Sequence, residues 1–460
     1  MGETEVLANY VAKAKYEDLP ADVVNHTKKS VSDTIACGLG GRKSLEGDIL
    51  IDIMKGMGGK PEATVIGDKT RLPFMHAAQV NRVITNILDY DDTLTKVGHM
   101  STVLIPVALA IGERINAPGK ELINAIVLGY EVITRIRDAV NPSEEAFWKT
   151  FERIDSGLHF GVTVVAGKLM GLNGEQMADA FGLAGRVRAW RITRPDWARK
   201  GMPRWMKVTG GDIIIPGIHA ALLAERWFPG DRTILDQGRG YEASVGSDRY
   251  DATKLTANLG KEHRVLRIGY KFYSSCRHTS SALDGAAAIV SENGIKTEDV
   301  QQVVVKAQKL VSDNFAIYEP EYMIQAQFSM PYIVTMVLMG EPTGPNWYTE
   351  DKLKNPKVRE FQHRIKLEED PIATKKFYAD HTSPSTIEIV TKDGKRFDRY
   401  VEYPKGEPEN PFTEKDHIDK FTNMASWLGM NQSRIDELIH TLNRLEELDT
   451  ISELACLLVP

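Results

Sequence analysis

Apolar residues recur at helical spacing through most of the first half of this chain, and this pattern strongly limits the folds it can adopt. One apolar stripe runs from Val23 to Leu39, with Pro20 at its start and Gly40-Gly41 at its end. Proline and glycine are typical of those two positions. Further helices are predicted at residues 75–88, 102–115, 121–140 and 159–169. Small residues in several of them would let helices pack closely, so we predict a buried helical core.

Strand patterns become frequent after about residue 265. An earlier short strand is predicted at residues 63–66, and β-branched residues fill 300–306. A hairpin with a two-residue Asp393-Gly394 turn is predicted to join 386–390 to 396–401. Apolar residues from Ile435 to Leu448 then return to helical spacing.

The chain is 460 residues long, which exceeds what one hydrophobic core usually supports. We therefore predict a mainly α protein with an α+β second domain. The proposed segments are an all-α domain at residues 1–265, a smaller α+β domain at 266–408 and a helical tail at 409–460 that rejoins the all-α domain.

Composition and charge argue against several classes of partner. The formal net charge of −6 gives no global basic field, so no nucleic-acid partner is predicted. The longest apolar run, residues 103–111, is too short to span a bilayer, and the first residues are acidic where a signal peptide would be basic. We therefore expect no membrane partner and a cytoplasmic location.

Cysteine usage and short motifs bear on cofactors. Cys37, Cys276 and Cys456 are widely separated, which fits a reducing compartment and supplies no iron–sulfur or zinc spacing. Sequence patterns for a dinucleotide fold, a phosphate loop and a zincin are missing. We therefore predict no cofactor and no metal.

The densest group of chemically active residues lies between positions 88 and 101. It contains Asp89, Asp91, Asp92, Thr93 and His99 in an apolar neighbourhood. Carboxylates are rarely buried without partners, and an imidazole titrates near neutral pH, so this combination suits acid/base chemistry. The alternative is that Asp89 and Asp92 cap helix ends and His99 lies in a loop.

Other candidates are spread along the chain. His159 begins a helix of small residues, where an imidazole can face a cleft, although a lone histidine is also a common core side chain. Lys207 and Lys271 have aromatic and apolar neighbours, which favours desolvated cations that hold a carboxylate over simple solvent exposure. Cys276 and Arg277 follow Lys271 closely and are added as candidate substrate contacts.

The stretch from residue 186 to residue 207 holds eight Lys or Arg residues, three tryptophans and one acid, Asp196. In an acidic protein such a stretch could draw in a polycarboxylate, with Arg188 and Arg191 as candidate contacts. The alternative is a solvated loop or a subunit contact, since Trp and Arg are both enriched at interfaces.

Motifs in these and other segments resemble the MmgE/PrpD family, which contains 2-methylcitrate dehydratases, cis-aconitate decarboxylases and an iminodisuccinate epimerase. The resemblance covers nearly the whole chain. It depends on the order and spacing of the motifs more than on any single motif. The motifs include Asp89-Tyr90-Asp91-Asp92-Thr93, Gly98-His99-Met100-Ser101, Met206-Lys207, Ala326-Gln327-Phe328-Ser329-Met330-Pro331-Tyr332 and Lys405-Gly406-Glu407-Pro408.

The resemblance implies a large all-α domain built from both chain ends, an α+β lid domain, an active site between them and a homodimer. It also implies catalysis without a metal or organic cofactor. The family's active-site positions fall on Asp89, Thr93, His99, His159, Lys207 and Lys271. His99 and His159 would be the acid/base groups, Asp89 and Thr93 would orient them, and the two lysines would bind carboxylates.

The predicted function is a cofactor-independent lyase acting on a small polycarboxylate, of the 2-methylcitrate dehydratase type. Decarboxylase or epimerase activity on a related acid is the alternative, because all three reactions can pass through a carbanion next to a carboxylate. The sequence departs from the family where Met100 replaces proline and Ser280 replaces histidine, with His278 two residues earlier. These departures also leave open a non-catalytic member that binds an acidic metabolite.

Overall fold

The computed structural model describes residues 1–94, 98–143, 145–146, 157–186 and 203–460. It is largely helical with a smaller α+β region, which confirms the predicted fold class. Up to residue 256 the described helices are α1 (Glu3–Lys13), α2 (Ala21–Gly41), α3 (Leu45–Met57), α4 (Phe74–Asn86), α5 (Ser101–Ile115), α6 (Gly119–Val140), α7 (Leu158–Leu169), α8 (Gly174–Ala184), α9 (Trp205–Thr209), α10 (Ile214–Glu225), α11 (Tyr241–Val245) and α12 (Thr253–Thr256). Two short strands, β1 (Ala63–Thr64) and β2 (Arg71–Leu72), pair antiparallel between α3 and α4.

The helices of the first half pack into one apolar core. Helix α5 is buried along almost its whole length, and it packs against α4, α6 and α7. Such all-round burial explains why its sequence is apolar on every side rather than along one stripe. The helix predicted from Pro20 onward is α2, which begins at Ala21 directly after that proline.

The second half contains a four-stranded sheet and further helices. The strands are β3 (Val300–Ala307), β4 (Ile365–Glu369), β5 (Ser385–Thr391) and β6 (Arg396–Val401), in the order β4-β3-β5-β6. β4 runs parallel to β3, and the other pairs are antiparallel. The helices of this part are α13 (Ser280–Asn293), α14 (Lys309–Asn314), α15 (Met323–Gln327), α16 (Met330–Leu338), α17 (Glu350–Leu353), α18 (Pro356–Gln362) and α19 (Pro371–Ala379).

Two details of this sheet differ from the sequence prediction. The predicted hairpin is β5–β6, but residues 392–395 separate the two strands, so its connection is longer than two residues. Strand β4 was not predicted. Ile365 and Leu367 alternate with charged residues, but two apolar positions followed by exposed acidic residues are a weak strand signal.

The last helices are α20 (Glu414–Leu428), α21 (Gln432–Asn443) and α22 (Ile451–Leu457). Helices α20 and α21 pack against α2, while α22 contacts α5. The end of the chain therefore lies against helices from its beginning. None of the helices in the described part of the chain has the length and apolar character needed to cross a bilayer.

Candidate active site

Asp89 lies just beyond the end of α4, where its backbone amide donates a hydrogen bond to the Asn86 carbonyl at 2.9 Å. Its φ of +49° is in the left-handed region, which aspartate tolerates better than most residues. The side chain is 1% exposed. The C-cap of α4 is Ile87, so Asp89 does not cap this helix as the alternative proposed, and its carboxylate is buried.

Two lysines from distant segments meet at this carboxylate. Lys207 Nζ, from α9, donates to Asp89 Oδ1 at 2.7 Å, and Lys271 Nζ donates to the same oxygen at 2.9 Å. Lys271 Nζ also donates to the Asp89 carbonyl at 2.9 Å. Both lysine side chains are buried. The predicted desolvated cations are therefore present, and both contact a carboxylate of the protein itself.

The charges in this contact stabilise one another. Burial raises the pKa of Asp89, but the ammonium groups of Lys207 and Lys271, with a smaller effect of the His99 ring, more than offset it, so the carboxyl pKa lies well below its usual range. Burial lowers the pKa of Lys271, and the nearby carboxylates of Asp89 and Asp91 raise it above its ordinary value. Asp89 and Lys271 are consequently both charged at neutral pH.

His99 approaches the same Asp89 oxygen and contacts a second carboxylate. Its Nδ1 is 2.6 Å from Asp91 Oδ2, and its Nε2 is 3.5 Å from Asp89 Oδ1. Asn86 Nδ2 donates to the other Asp91 oxygen at 2.9 Å. Burial raises the pKa of Asp91, but His99 and the two lysines bring it down to about 2. An ionised Asp91 accepts the Nδ1 proton, which leaves Nε2 free to accept one.

The pKa of His99 lies below its ordinary value. Burial is the largest cause, the carboxylate of Asp91 opposes it, and the ammonium groups of Lys271 and Lys207 lower it further. The ring is therefore mainly neutral at pH 7. A neutral imidazole oriented by a carboxylate is the arrangement expected of a general base.

Asp92 anchors the segment that carries His99. Its Oδ1 accepts hydrogen bonds from Ser101 N at 3.1 Å and Ser101 Oγ at 2.5 Å, at the start of α5. Its Oδ2 accepts from the Tyr130 hydroxyl of α6 at 2.6 Å. Burial raises the pKa of Asp92 to about 7. Asp92 ties the two helices together and thereby fixes the end of the loop after Thr93.

His159 is at the first turn of α7 and is 1% exposed. Burial lowers its pKa to about 3, so the ring is neutral at pH 7. Its Nε2 has no hydrogen-bond partner within the described residues. No hydrogen bond or ion pair in that part of the chain joins this ring to Asp89 or His99. Among the described residues, His159 is thus a buried imidazole without a partner on Nε2, and it lies outside the Asp89 contact network.

Thr93, Cys276 and Arg277 surround the same loop. The Thr93 backbone pairs with Gly269, with N–O distances of 3.0 and 3.2 Å. Arg277 Nη1 donates to the Thr93 carbonyl at 3.2 Å, and its Nη2 forms an ion pair with Glu407. Burial raises the pKa of the Cys276 thiol to about 12, so it is not a thiolate at neutral pH. Arg277 therefore holds the loop at Thr93.

The remaining predicted positions are placed as follows. Arg188 and Arg191 lie outside the described residues. His278 Nδ1 is 2.8 Å from Ser383 Oγ, and burial lowers the pKa of this histidine to about 3. Ser280 is buried at the start of α13, and Met100 is fully buried before α5. The methionine fills the core at the base of the His99 loop.

Asp89, Asp91 and His99 also form a group that could hold a metal ion, since one ligand atom from each lies within 4.8 Å of the others. The two ammonium groups on Asp89 Oδ1 supply positive charge at the place where a cation would bind. Like charges at this separation repel strongly in a buried site. The donor set is therefore a poor fit for a divalent ion.

Asp91 belongs to the group of residues that the sequence analysis singled out, but no site role was predicted for it. Asp91 is visible in the sequence motif Asp89-Tyr90-Asp91, two positions after Asp89. Nothing in that spacing indicates which carboxylate contacts His99, because the local chain beyond α4 is irregular. Only the folded loop brings Asp91 to Nδ1.

Comparison with known proteins places this chain in a defined class. The chain belongs to the MmgE/PrpD family, since the MmgE/PrpD N-terminal domain matches residues 5–252 and the MmgE/PrpD C-terminal domain matches residues 273–444. This confirms the family predicted from the motifs.

Curated relatives extend over nearly the whole chain. Cis-aconitate decarboxylase of Homo sapiens is 25% identical over 468 residues, covering 99% of this chain and 94% of that protein. The Mus musculus enzyme of the same name is 24% identical over 99% of this chain and 93% of its own length. Cis-aconitate decarboxylase of Aspergillus terreus is 23% identical over 98% of this chain and 96% of its own length. The predicted class, a lyase acting on a small polycarboxylate, agrees with these relatives.

Proposed function

We propose that this chain is a lyase that generates a carbanion or enediolate next to a carboxylate of a small polycarboxylate substrate. One observation carries the proposal: two buried ammonium groups converge on Asp89 Oδ1 beside the Asp91–His99 pair. This places stabilising positive charge and a proton acceptor within one small volume. Those are the two requirements of carbanion chemistry at a weak carbon acid.

The lysines retain capacity to bind substrate. An ammonium group carries three N–H donors. In the described part of the chain Lys207 uses one of them on Asp89, and Lys271 uses two. A substrate carboxylate can take the others, and the ammonium charge then stabilises electron density that moves onto that carboxylate.

Decarboxylation and dehydration differ in the bond that breaks. In decarboxylation the C–C bond to one carboxylate breaks, CO₂ leaves with neither bonding electron, and the remaining carbanion takes a proton. In dehydration a C–H proton goes to a base and hydroxide leaves from the neighbouring carbon with a second proton. We propose decarboxylation of a cis-aconitate-like acid as the primary activity, because the curated relatives carry that name. The dehydratase activity predicted from sequence is the second reaction to test.

Turnover of a panel of acids tests this proposal. The purified chain is incubated with cis-aconitate, 2-methylcitrate and citrate in deuterated water, with proton NMR and CO₂ capture as readouts. CO₂ release from cis-aconitate supports decarboxylation, and elimination without CO₂ supports dehydration. Binding of these acids without any turnover would identify a non-catalytic member and overturn the proposal.

A matched pair of variants connects the activity to the site. Lys207→Met removes one charge-assisted bond of about 1.5 to 3 kcal/mol, so kcat/KM should fall at least about tenfold. Lys254→Met makes the same change at an exposed lysine of α12 and should retain wild-type kcat/KM. Equal activity of the two variants would remove Lys207 from the site.

We further propose that the enzyme is a cytoplasmic homodimer. Exposed apolar side chains support a self-contact: Leu45, Ile49, Ile53 and Met57 recur every four residues along α3 and are 46 to 64% exposed. Light scattering coupled to size-exclusion chromatography should give twice the 51.3 kDa chain mass. A monomer at micromolar concentration would contradict this assignment.

A further inference from the structure

Lys420 is a buried cation that lies behind the candidate active site and comes from the C-terminal helix α20. Its residue is 6% exposed. The ammonium group donates to the Tyr90 carbonyl at 2.6 Å and to the Lys271 carbonyl at 3.1 Å, and its third contact is Asp33 Oδ1 at 2.6 Å. The ammonium group therefore makes two hydrogen bonds to main-chain carbonyls and one ion pair within the protein.

The two carbonyls belong to the segments that carry the candidate active-site charges. Tyr90 follows Asp89 directly, and Lys271 is itself one of the two lysines on the Asp89 carboxylate. These segments contact each other through the Lys271–Asp89 pair on one side and through Lys420 on the other. Asp89 also has a left-handed backbone, which costs free energy unless neighbouring contacts maintain it.

We propose that Lys420 is a positioning residue, whose ammonium group fixes the main chain at Tyr90 and Lys271 and so holds Asp89 and Lys271 at contact distance. The expected change in kcat rests on the proposed function, whereas the expected change in the Lys271–Asp89 distance does not. Asp33, on α2, neutralises the buried charge and completes the link from the C-terminal helix through the site to the N-terminal helices.

The test uses a charge-balanced double variant, Asp33→Asn with Lys420→Met. Removing Lys420 alone would leave Asp33 as an unpaired buried carboxylate, which is strongly destabilising. The matched control is Glu131→Gln with Arg135→Met. Arg135 is likewise a buried cation paired with one carboxylate, Glu131, and it donates to the Ala257 carbonyl at 2.5 Å.

Small displacements of catalytic groups are costly, so we expect the Asp33/Lys420 variant to lose about 10- to 100-fold in kcat, with a smaller change in KM. The acidic limb of its pH–rate profile should move to higher pH, because Lys271 lowers the pKa of His99 and a displaced Lys271 no longer does so. The Glu131/Arg135 variant should keep the wild-type kcat and pH profile even if its melting temperature falls equally.

A crystal structure of the Asp33/Lys420 variant supplies a readout that is independent of turnover. The Lys271 Nζ to Asp89 Oδ1 distance, 2.9 Å in the native chain, should lengthen beyond hydrogen-bond reach. Retention of that contact, or a kcat no lower than that of the control pair, would overturn the positioning role. If the wild-type chain turns over no acid, the proposed function fails, and the crystal structure alone decides the positioning role.

Discussion

At the scale of single residues, the Asp89 carboxylate is the point at which the charged groups of the site meet. Its Oδ1 is shared by Lys207 and Lys271, and His99 Nε2 lies 3.5 Å away. Burial, with the two lysines, lowers the pKa of His99, while Asp91 opposes that effect and orients the ring. The imidazole is therefore neutral at pH 7 and has a defined tautomer, which a general base requires.

We expect His99→Gln to lower kcat by about 100-fold or more, because the variant has no proton acceptor at this position. Asp91→Asn should lower kcat as well, since it removes the carboxylate that fixes the tautomer. His363→Gln is the control, because His363 is an exposed histidine that pairs with Glu319 at 3.1 Å. Steady-state kinetics on the same acid provide the measurement, and wild-type turnover by His99→Gln would exclude it as the base.

His159 predicts a pH dependence of stability. Its pKa is about 3 in the folded chain, against about 6.5 when unfolded. In this window the unfolded state binds a proton that the folded state does not, so stability is lost as the pH falls. The slope from this residue is up to about 1.4 kcal/mol per pH unit. Urea unfolding of His159→Gln should therefore show weaker acid destabilisation than wild type between about pH 6.5 and pH 4.5; identical slopes would show that the folded chain accepts the proton.

At the scale of helices, small residues set how closely the elements pack. A Cβ added at Gly161 of α7 would lie 2.3 Å from Ile133 Cδ1 of α6, and one at Gly182 of α8 would lie 2.1 Å from the Asp231 backbone nitrogen. The sequence predicted this close packing from composition alone. The Asp231 backbone next to Gly182 can move less than the flexible Ile133 side chain next to Gly161.

Two glycine substitutions with opposite signs test this packing. Gly182→Ala should destabilise the fold by about 1 to 3 kcal/mol, because the methyl group collides with the main chain of Asp231. Gly56→Ala in α3 meets no atom within 4 Å, so it should stabilise the protein by about 0.5 to 1 kcal/mol through helix propensity. Chemical denaturation of both variants gives the comparison, and equal effects would contradict the packing at Gly182.

At the scale of the whole molecule, the candidate site is assembled from segments that are far apart in the chain. Asp89 and His99 flank an early loop, Lys207 comes from α9, Lys271 precedes the sheet, and Lys420 comes from α20. Helix α20 packs against α2, which is why a cation from the C-terminal part of the chain reaches the Tyr90 carbonyl. Truncating the tail would remove a contact of the site as well as a surface of the core.

The same assembly predicts how the whole enzyme responds to metal removal. The ammonium groups of Lys207 and Lys271 supply positive charge next to the Asp89, Asp91 and His99 group. No divalent ion should therefore be needed there. Activity should be unchanged after prolonged dialysis against a strong chelator. Loss of activity that one specific divalent ion restores would contradict metal independence.

Local patterns in the sequence determined the helices at the start of the chain, the hairpin near its end, the family and the set of ionisable residues. These depend on side-chain periodicity and on residue order, which are properties of the chain itself. The tertiary structure alone decided which of those residues meet. The carboxylate that contacts the His99 ring is that of Asp91, which the spacing of the motif did not indicate. Lys420 donates to the carbonyl of Tyr90, 330 positions earlier in the chain. Such contacts depend on loop conformation and on helix packing between distant segments, and neither leaves a periodic signal in the sequence.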